Sequence, residues 1–188
     1  VPGPFSNILP ISIQKELGRE SAAYVENEWK FSPDFSMVAG LRYSFFQRLG
    51  SDTVYRYAPE AIRIDENVEE TQVFSKGNAS KTYGGIEPRL SLRYSLDENT
   101  SIKASYNRMR QYVQLISNTT AALPTARWGT SDLNILPQIA DQVSLGYFKN
   151  LEENRWETSA ELYYRKSQNF PDYRDLADLI FSKNLEQQ

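Results

Sequence analysis

Apolar and polar residues alternate with a period of two along six stretches of the chain, about 20–32, 35–48, 86–96, 100–112, 138–149 and 154–168, and this period predicts β-strands. One phase of each strand is almost wholly apolar or aromatic. It reads Ala23, Val25, Trp29, Phe31; Phe35, Met37, Ala39, Leu41, Tyr43, Phe45; Leu90, Leu92, Tyr94, Leu96; Ile102, Ala104, Tyr106; Ile139, Val143, Leu145, Tyr147; and Trp156, Ala160, Leu162, Tyr164. The other phase carries Glu26, Glu28, Lys30, Arg42, Arg89, Arg93, Lys103, Asn107, Gln142, Glu157, Glu161 and Arg165 among Ser and Gly. Asn27 and Asp141 interrupt the apolar phase. A one-residue slip would exchange the two faces, so the pattern fixes register wherever one face meets an apolar medium.

The connections alternate in length. Short, turn-forming stretches, Ser32-Pro33-Asp34, Asp97-Glu98-Asn99-Thr100 and Asn150 to Asn154, join the strands into hairpins at about 20–48, 86–112 and 138–168. Long polar segments, expected as external loops, occupy about 49–85, 113–137 and 169–188, and 1–19 reads similarly. Several structureless loops of that length are rare in a soluble domain. Tight turns at one end and large loops at the other are how an outer-membrane barrel is built. Trp29, Phe31, Phe35, Tyr94, Tyr147 and Trp156 fall beside the short turns, and Tyr43, Phe45, Tyr106 and Tyr164 toward the long loops, as two aromatic girdles would. Alternation alone fits a water-soluble sheet or sandwich equally well; the asymmetric connections and the girdles favour lipid. The expected fold is therefore all-β: an antiparallel up-and-down meander of about six strands, a segment of a transmembrane β-barrel that stays an open, curved sheet in isolation.

Composition narrows the chemistry. The chain has no Cys and no His, which removes disulfides, thiolate or imidazole metal sites and His-dependent triads. A net charge of −3 with mixed signs leaves no basic footprint for nucleic acid. No apolar run approaches the roughly 20 residues a membrane helix needs, so any span rests on strands. The opening Val1-Pro2-Gly3-Pro4 lacks an initiator Met and a signal peptide and reads as part of a mature or truncated chain.

Candidate sites are few. Tyr55, Arg56 and Tyr57 in the first long connection, and Tyr112, Arg127 and Trp128 in the second, are aromatic and Arg residues of the kind that dominate binding surfaces, and they are the candidate ligand contacts. Packing of one loop against another is an equally good use for them. The acidic run Asp65, Glu66, Glu69, Glu70 lacks the spacing and glycine of a calcium loop and reads as a solvated face. Tyr83-Gly84-Gly85 reads as a bend. Glu157 and Glu161 share a strand face, and pairing beside a wet lumen suits them better than glycoside hydrolysis. No catalytic residue, metal ligand or cofactor is implied.

The segment Asp132-Leu133-Asn134-Ile135-Leu136-Pro137-Gln138 through Leu145-Gly146-Tyr147 resembles a recurrent motif of TonB-dependent outer-membrane receptors, in which a loop ending Asn-Pro-x-Leu-x-Pro-Glu feeds a strand closing on Glu-Leu-Gly. Gln138 and Ser144 stand where that family commonly has Glu. A second stretch, Pro88 to Tyr94, a short turn and Ser101 to Arg108, resembles the hairpin preceding the motif, and the two occur in the family's order. The resemblance implies a large barrel plugged by an amino-terminal domain, of which this chain is a barrel portion only. It implies active import of an extracellular nutrient, with energy delivered through TonB to the plug, in the outer membrane of a Gram-negative bacterium. Implied partners are outer-membrane lipid, TonB through the plug, and the ligand; a surface lipoprotein is left open. The alternatives are a porin or adhesin-type barrel, or a soluble β-sheet carbohydrate-binding module.

Overall fold

The computed structural model describes residues 15–50, 52–58, 65–116, 127–151, 155–173 and 185–187. Val1-Pro2-Gly3-Pro4 and most of the expected segments 1–19 and 169–188 lie outside them. In chain order the strands are β1 (Leu17–Lys30), β2 (Phe35–Leu49), β3 (Asp52–Tyr57), β4 (Val68–Phe74), β5 (Ala79–Asp97), β6 (Thr100–Gln111), β7 (Val113–Ile116), β8 (Arg127–Thr130), β9 (Gln138–Leu151), β10 (Trp156–Gln168), β11 (Pro171–Tyr173) and β12 (Leu185–Gln187). Six of them make one antiparallel sheet in the order β1-β2-β5-β6-β9-β10, so every strand lies beside its predecessor in a meander that does not close. The hairpins β3–β4 and β7–β8 are separate two-stranded ribbons inserted between β2 and β5 and between β6 and β9.

The ladder places the apolar phase of all six strands on one surface. One cross-strand row runs Trp29, Met37, Leu92, Ala104, Leu145, Leu162, and the next runs Asn27, Ala39, Leu90, Tyr106, Val143, Tyr164. Nothing covers these rows among the described residues: Leu41, Tyr43, Tyr94, Leu145, Leu162 and Tyr164 are all exposed. The buried apolar residues are instead Phe46, Val54, Tyr112, Ile135 and Ala140, none of which belongs to that phase of the central rows. A water-soluble sandwich would bury the apolar phase and wet the other. Here the order is inverted, and a contiguous apolar surface left open in this way marks contact with a partner or a membrane.

The aromatic residues cross the ladder obliquely. Tyr43, near the long-connection end of β2, pairs with Ile86, whereas the row of Tyr164 on β10 meets β2 at Ala39, further toward the short turn. At the other end Phe35 pairs with Tyr94 on the row of Ala160, while Trp156 lies further down β10 beside Leu151. Both girdles slip in the same direction, as horizontal bands must when strands tilt about 35–45° to the barrel axis.

Alternation underestimates strand length. β5 begins at Ala79 rather than near 86, and its register with β2 continues through Phe46↔Tyr83 to Arg48↔Lys81. Apart from the buried Ser80 the extension is exposed or half-buried on both faces, so no apolar phase marks it, while the backbone ladder needs none. The glycines of Tyr83-Gly84-Gly85 consequently sit within the strand, in unbroken register with β2, and not in a bend. A Cβ on Gly84 would lie 2.7 Å from the Tyr43 hydroxyl, and one on Gly85 would overlap the Arg110 guanidinium. Gly40 and Gly146 likewise face side chains: Glu26 fills the space over Gly40, and the Phe148 ring lies over Gly146 with Lys103 Nζ 4.3 Å from its centre. Asp141, the break in the apolar phase, is held by Arg108 from the neighbouring strand. Nothing in the structure explains Asn27.

Leu90 lies on the apolar phase between the girdles, in register with Tyr106, so Leu90→Arg in the full receptor should cost up to about 2–4 kcal/mol of unfolding free energy in lipid vesicles. Ser91→Arg, one residue on and facing the polar side, should stay within about 0.5 kcal/mol. Denaturant titration of the two variants measures the difference.

Candidate functional site

The polar face of the sheet is not bare at its long-connection end, because β7–β8 folds back across it. The anchor is Tyr112, between β6 and β7, whose ring stacks on Phe46 of β2 with centroids 5.1 Å apart and planes 5° from parallel. Phe46 belongs to the polar phase, as does Ser44, whose hydroxyl lies 2.7 Å from the Tyr112 hydroxyl. Ser44 also donates to Glu87 of β5, and Arg42 Nη1 donates to the other Glu87 oxygen at 2.7 Å. Glu87 and Ser44 are almost fully buried. Arg42 reaches a second carboxylate at Glu20, 3.4 Å away. A carboxylate, a hydroxyl, a phenol and a guanidinium therefore satisfy one another where the loop covers the wall, as buried polar groups require.

A second cluster ties down β8. Arg48 Nη1 lies 3.1 Å from Thr130 Oγ1, 3.2 Å from Asp132 Oδ2 and 3.5 Å from Glu16 Oε2. Glu16 Oε2 accepts from the Thr130 amide at 2.6 Å and from its hydroxyl at 2.8 Å. Asp132 Oδ1 accepts the amides of Asn134 and Ile135, each at 2.7 Å, a turn that Asp side chains form locally. The Asp132 carbonyl accepts from Tyr83 of β5. Between the clusters, Gln114 Nε2 donates to the Leu136 carbonyl at 2.9 Å and Gln138 Nε2 to Gln114 Oε1 at 3.0 Å. The strip Asp132 to Pro137 thereby lies against the hairpin as it enters β9.

The six candidate contacts are not equivalent. Tyr112 is 1% exposed, so it anchors the loop. Trp128 is 67% exposed and pairs across the ribbon with Leu115, itself exposed, so β7–β8 shows an apolar pair on its open side. Arg127 opens β8, and its side chain lies outside the described residues. Tyr55, Arg56 and Tyr57 lie on β3: Arg56 is exposed and meets Glu70 at 3.4 Å, and the Tyr55 carbonyl lies 3.5 Å from Asn134 Nδ2, which links the two loop systems. Of the acidic run, Glu70 is taken up by Arg56 and Gln72, and no three carboxylates converge among the described residues. The residues that hold the loop, Phe46, Glu87, Arg48, Asp132 and Gln114, were missed in the sequence. One signal was available: Phe46 is a large aromatic on the charged phase, where only a folded-in segment gives it cover.

Burial pushes the Asp132 carboxyl above its ordinary value of 3.8, against the opposing pull of Arg48 and the two turn amides, with Glu16 adding to the rise. A raised carboxyl stabilises the docked loop fully below that ordinary value, and the contribution is lost as pH climbs through the raised one. Amide exchange in β8, corrected for intrinsic rates, should therefore quicken from pH 4 to pH 7, and Asp132→Asn should flatten the profile. Tyr112→Ala removes the stacked ring and should weaken docking by about 3 kcal/mol, read as new protease cuts in β7–β8, whereas Tyr112→Phe should lose only about 1 kcal/mol.

A family model described as TonB dependent receptor-like, beta-barrel, matches residues 2–183. No curated protein and no solved structure matches the chain.

Proposed function

Because the chain belongs to the TonB-dependent receptor β-barrel family, we propose that its residues form a part of the wall and of the substrate-facing loops of a receptor that imports a nutrient with energy delivered through TonB. The family's members are outer-membrane receptors and transporters of Gram-negative bacteria, and the uncovered apolar phase of the sheet suits that setting. A soluble carbohydrate-binding module would need a cover for this phase, and among the described residues none packs on it.

The observation that carries the reading is the inward-folded β7–β8 ribbon. It is pinned to the polar face by Tyr112 and Arg48 while Trp128 and Leu115 stay open. A fixed backbone carrying an exposed aromatic pair presents little conformational freedom to be lost on binding, which is how binding loops gain affinity. Trp128, with Arg127 beside it and Tyr55, Arg56 and Tyr57 on the adjoining ribbon, forms the ligand-contacting set, and Tyr112 supports it from beneath. No bond is made or broken in this scheme. TonB acts through the plug, and a surface lipoprotein that closes over the long loops is compatible with it.

The test uses the complete receptor returned to a strain lacking it, on a nutrient whose uptake depends on it. Trp128→Ala should weaken ligand capture about tenfold or more, as loss of an aromatic hot spot does. Deleting 113–137 should abolish capture while the barrel still assembles. Uptake that persists in a strain without TonB, or that ignores both changes, contradicts the reading.

A further inference from the structure

The ladder between β5 and β6 stops early. Its last pair toward the long connections is Arg89↔Asn107, although β5 stays paired with β2 as far as Leu49↔Ala79 and β6 with β9 as far as Gln111↔Gln138. Pro88 accounts for the break. The Ser95 amide donates to the Asp34 carbonyl on the β2 side, and amide direction alternates along an unbroken register, so position 88 faces β6. The next pair in sequence would set Pro88 against Arg108, where a proline has no hydrogen to donate. The wall is therefore split beyond Arg89 and Asn107, with β1-β2-β5 on one side and β6-β9-β10 on the other. The first missing pair follows Leu90↔Tyr106, and Tyr106 belongs to the girdle on the long-connection side, so water can reach the unpaired backbone.

Side chains bridge the split in place of backbone. By alternation Arg110 shares the phase of Tyr106, yet its guanidinium lies over Gly85 on the phase of Ser44, so the side chain fills the gap. Tyr112 reaches across to Phe46 and Ser44, Tyr83 to the Asp132 carbonyl, and Arg48 to Thr130 and Asp132. The fit is incomplete: Asn107 Oδ1, at the head of the split, and Arg110 Nε, within it, are buried with no hydrogen-bond partner among the described residues. Each costs stability while the gap is closed and regains water when it opens. The ribbon β7–β8 is continuous with the β6–β9 side, where the Ser131 amide donates to the Tyr112 carbonyl at 2.7 Å. We infer that the wall parts at this seam: the β6–β9 hairpin and β7–β8 swing as one unit away from β2–β5, hinged at Arg89↔Asn107, with Tyr112 and Arg110 as the clasp. The docked position predominates, and opening clears the polar face beneath Trp128. As a gate for the nutrient the motion rests on the import reading; the motion itself does not.

The test measures distances between paired spin labels in an otherwise Cys-free full receptor in nanodiscs, with no nutrient present. One pair, Thr82→Cys with Gln111→Cys, spans the split, and a second, Thr82→Cys with Leu115→Cys, reaches the ribbon; all three positions are exposed. Each pair should give a main short distance and a minor long one. Pro88→Val returns a donor facing the Arg108 carbonyl and should shrink the long population about fivefold, the effect of one net backbone hydrogen bond. Tyr112→Ala should enlarge it in both pairs. A single narrow distance between Thr82 and Gln111 in wild type and in Tyr112→Ala overturns the hinge and leaves the import reading untouched. A longer distance to Leu115 with that to Gln111 unchanged shows the ribbon undocking alone, which also overturns the hinge. Uptake that proves independent of TonB sinks the import reading and leaves the motion standing.

Discussion

The structure depends on a single constraint: an antiparallel ladder that puts the apolar phase of six strands on one surface and leaves that surface without protein cover among the described residues. A register shift of one residue on any strand would turn its Arg, Lys or Glu to that surface, which is why the pairing Trp29↔Met37, Met37↔Leu92, Leu92↔Ala104 and Ala104↔Leu145 has little freedom to vary. Folding in water offers the surface no partner. In a bilayer, hydrocarbon contacts it while the ladder satisfies the backbone, the combination that lets strands span a membrane.

The same constraint decides what happens on the other side. The polar face is free to receive whatever the long connections supply, and at its upper end β7–β8 takes the place. Phe46 and Tyr112 contribute contact area, while Glu87, Ser44 and Arg42 make the junction specific. Arg48, Thr130, Asp132 and Glu16 fix the far side of the ribbon. A buried polar network of this kind is costly when half satisfied, so it favours one loop position over many. Rigidity is thus placed under the ribbon and accessibility on top of it, at Trp128 and Leu115.

The sequence made the six-stranded meander legible because lipid on one face and water on the other impose a strict period of two. Where that contrast fades, so does legibility. The first residues of β5 and the ribbons β3–β4 and β7–β8 are strands with wet or mixed faces, and their sequences look like loop. Candidate contacts were chosen by residue type alone, which separates Trp128 from Tyr112 no better than chance: one is open and the other buried, and only the fold-back of the ribbon decides which. Asp141, a break in the pattern toward the long-connection end, gains its reason from Arg108, a residue distant in sequence and adjacent in register.

The claim beneath all of this is that Leu90, Leu145 and their row neighbours touch hydrocarbon. Single tryptophans placed at 90 and 145, and at 91 and 144, in an otherwise Trp-free full receptor can be examined in vesicles whose acyl chains carry bromine. The account predicts strong quenching at 90 and 145 and little at 91 and 144. Equal quenching at all four, or the reverse order, would contradict it.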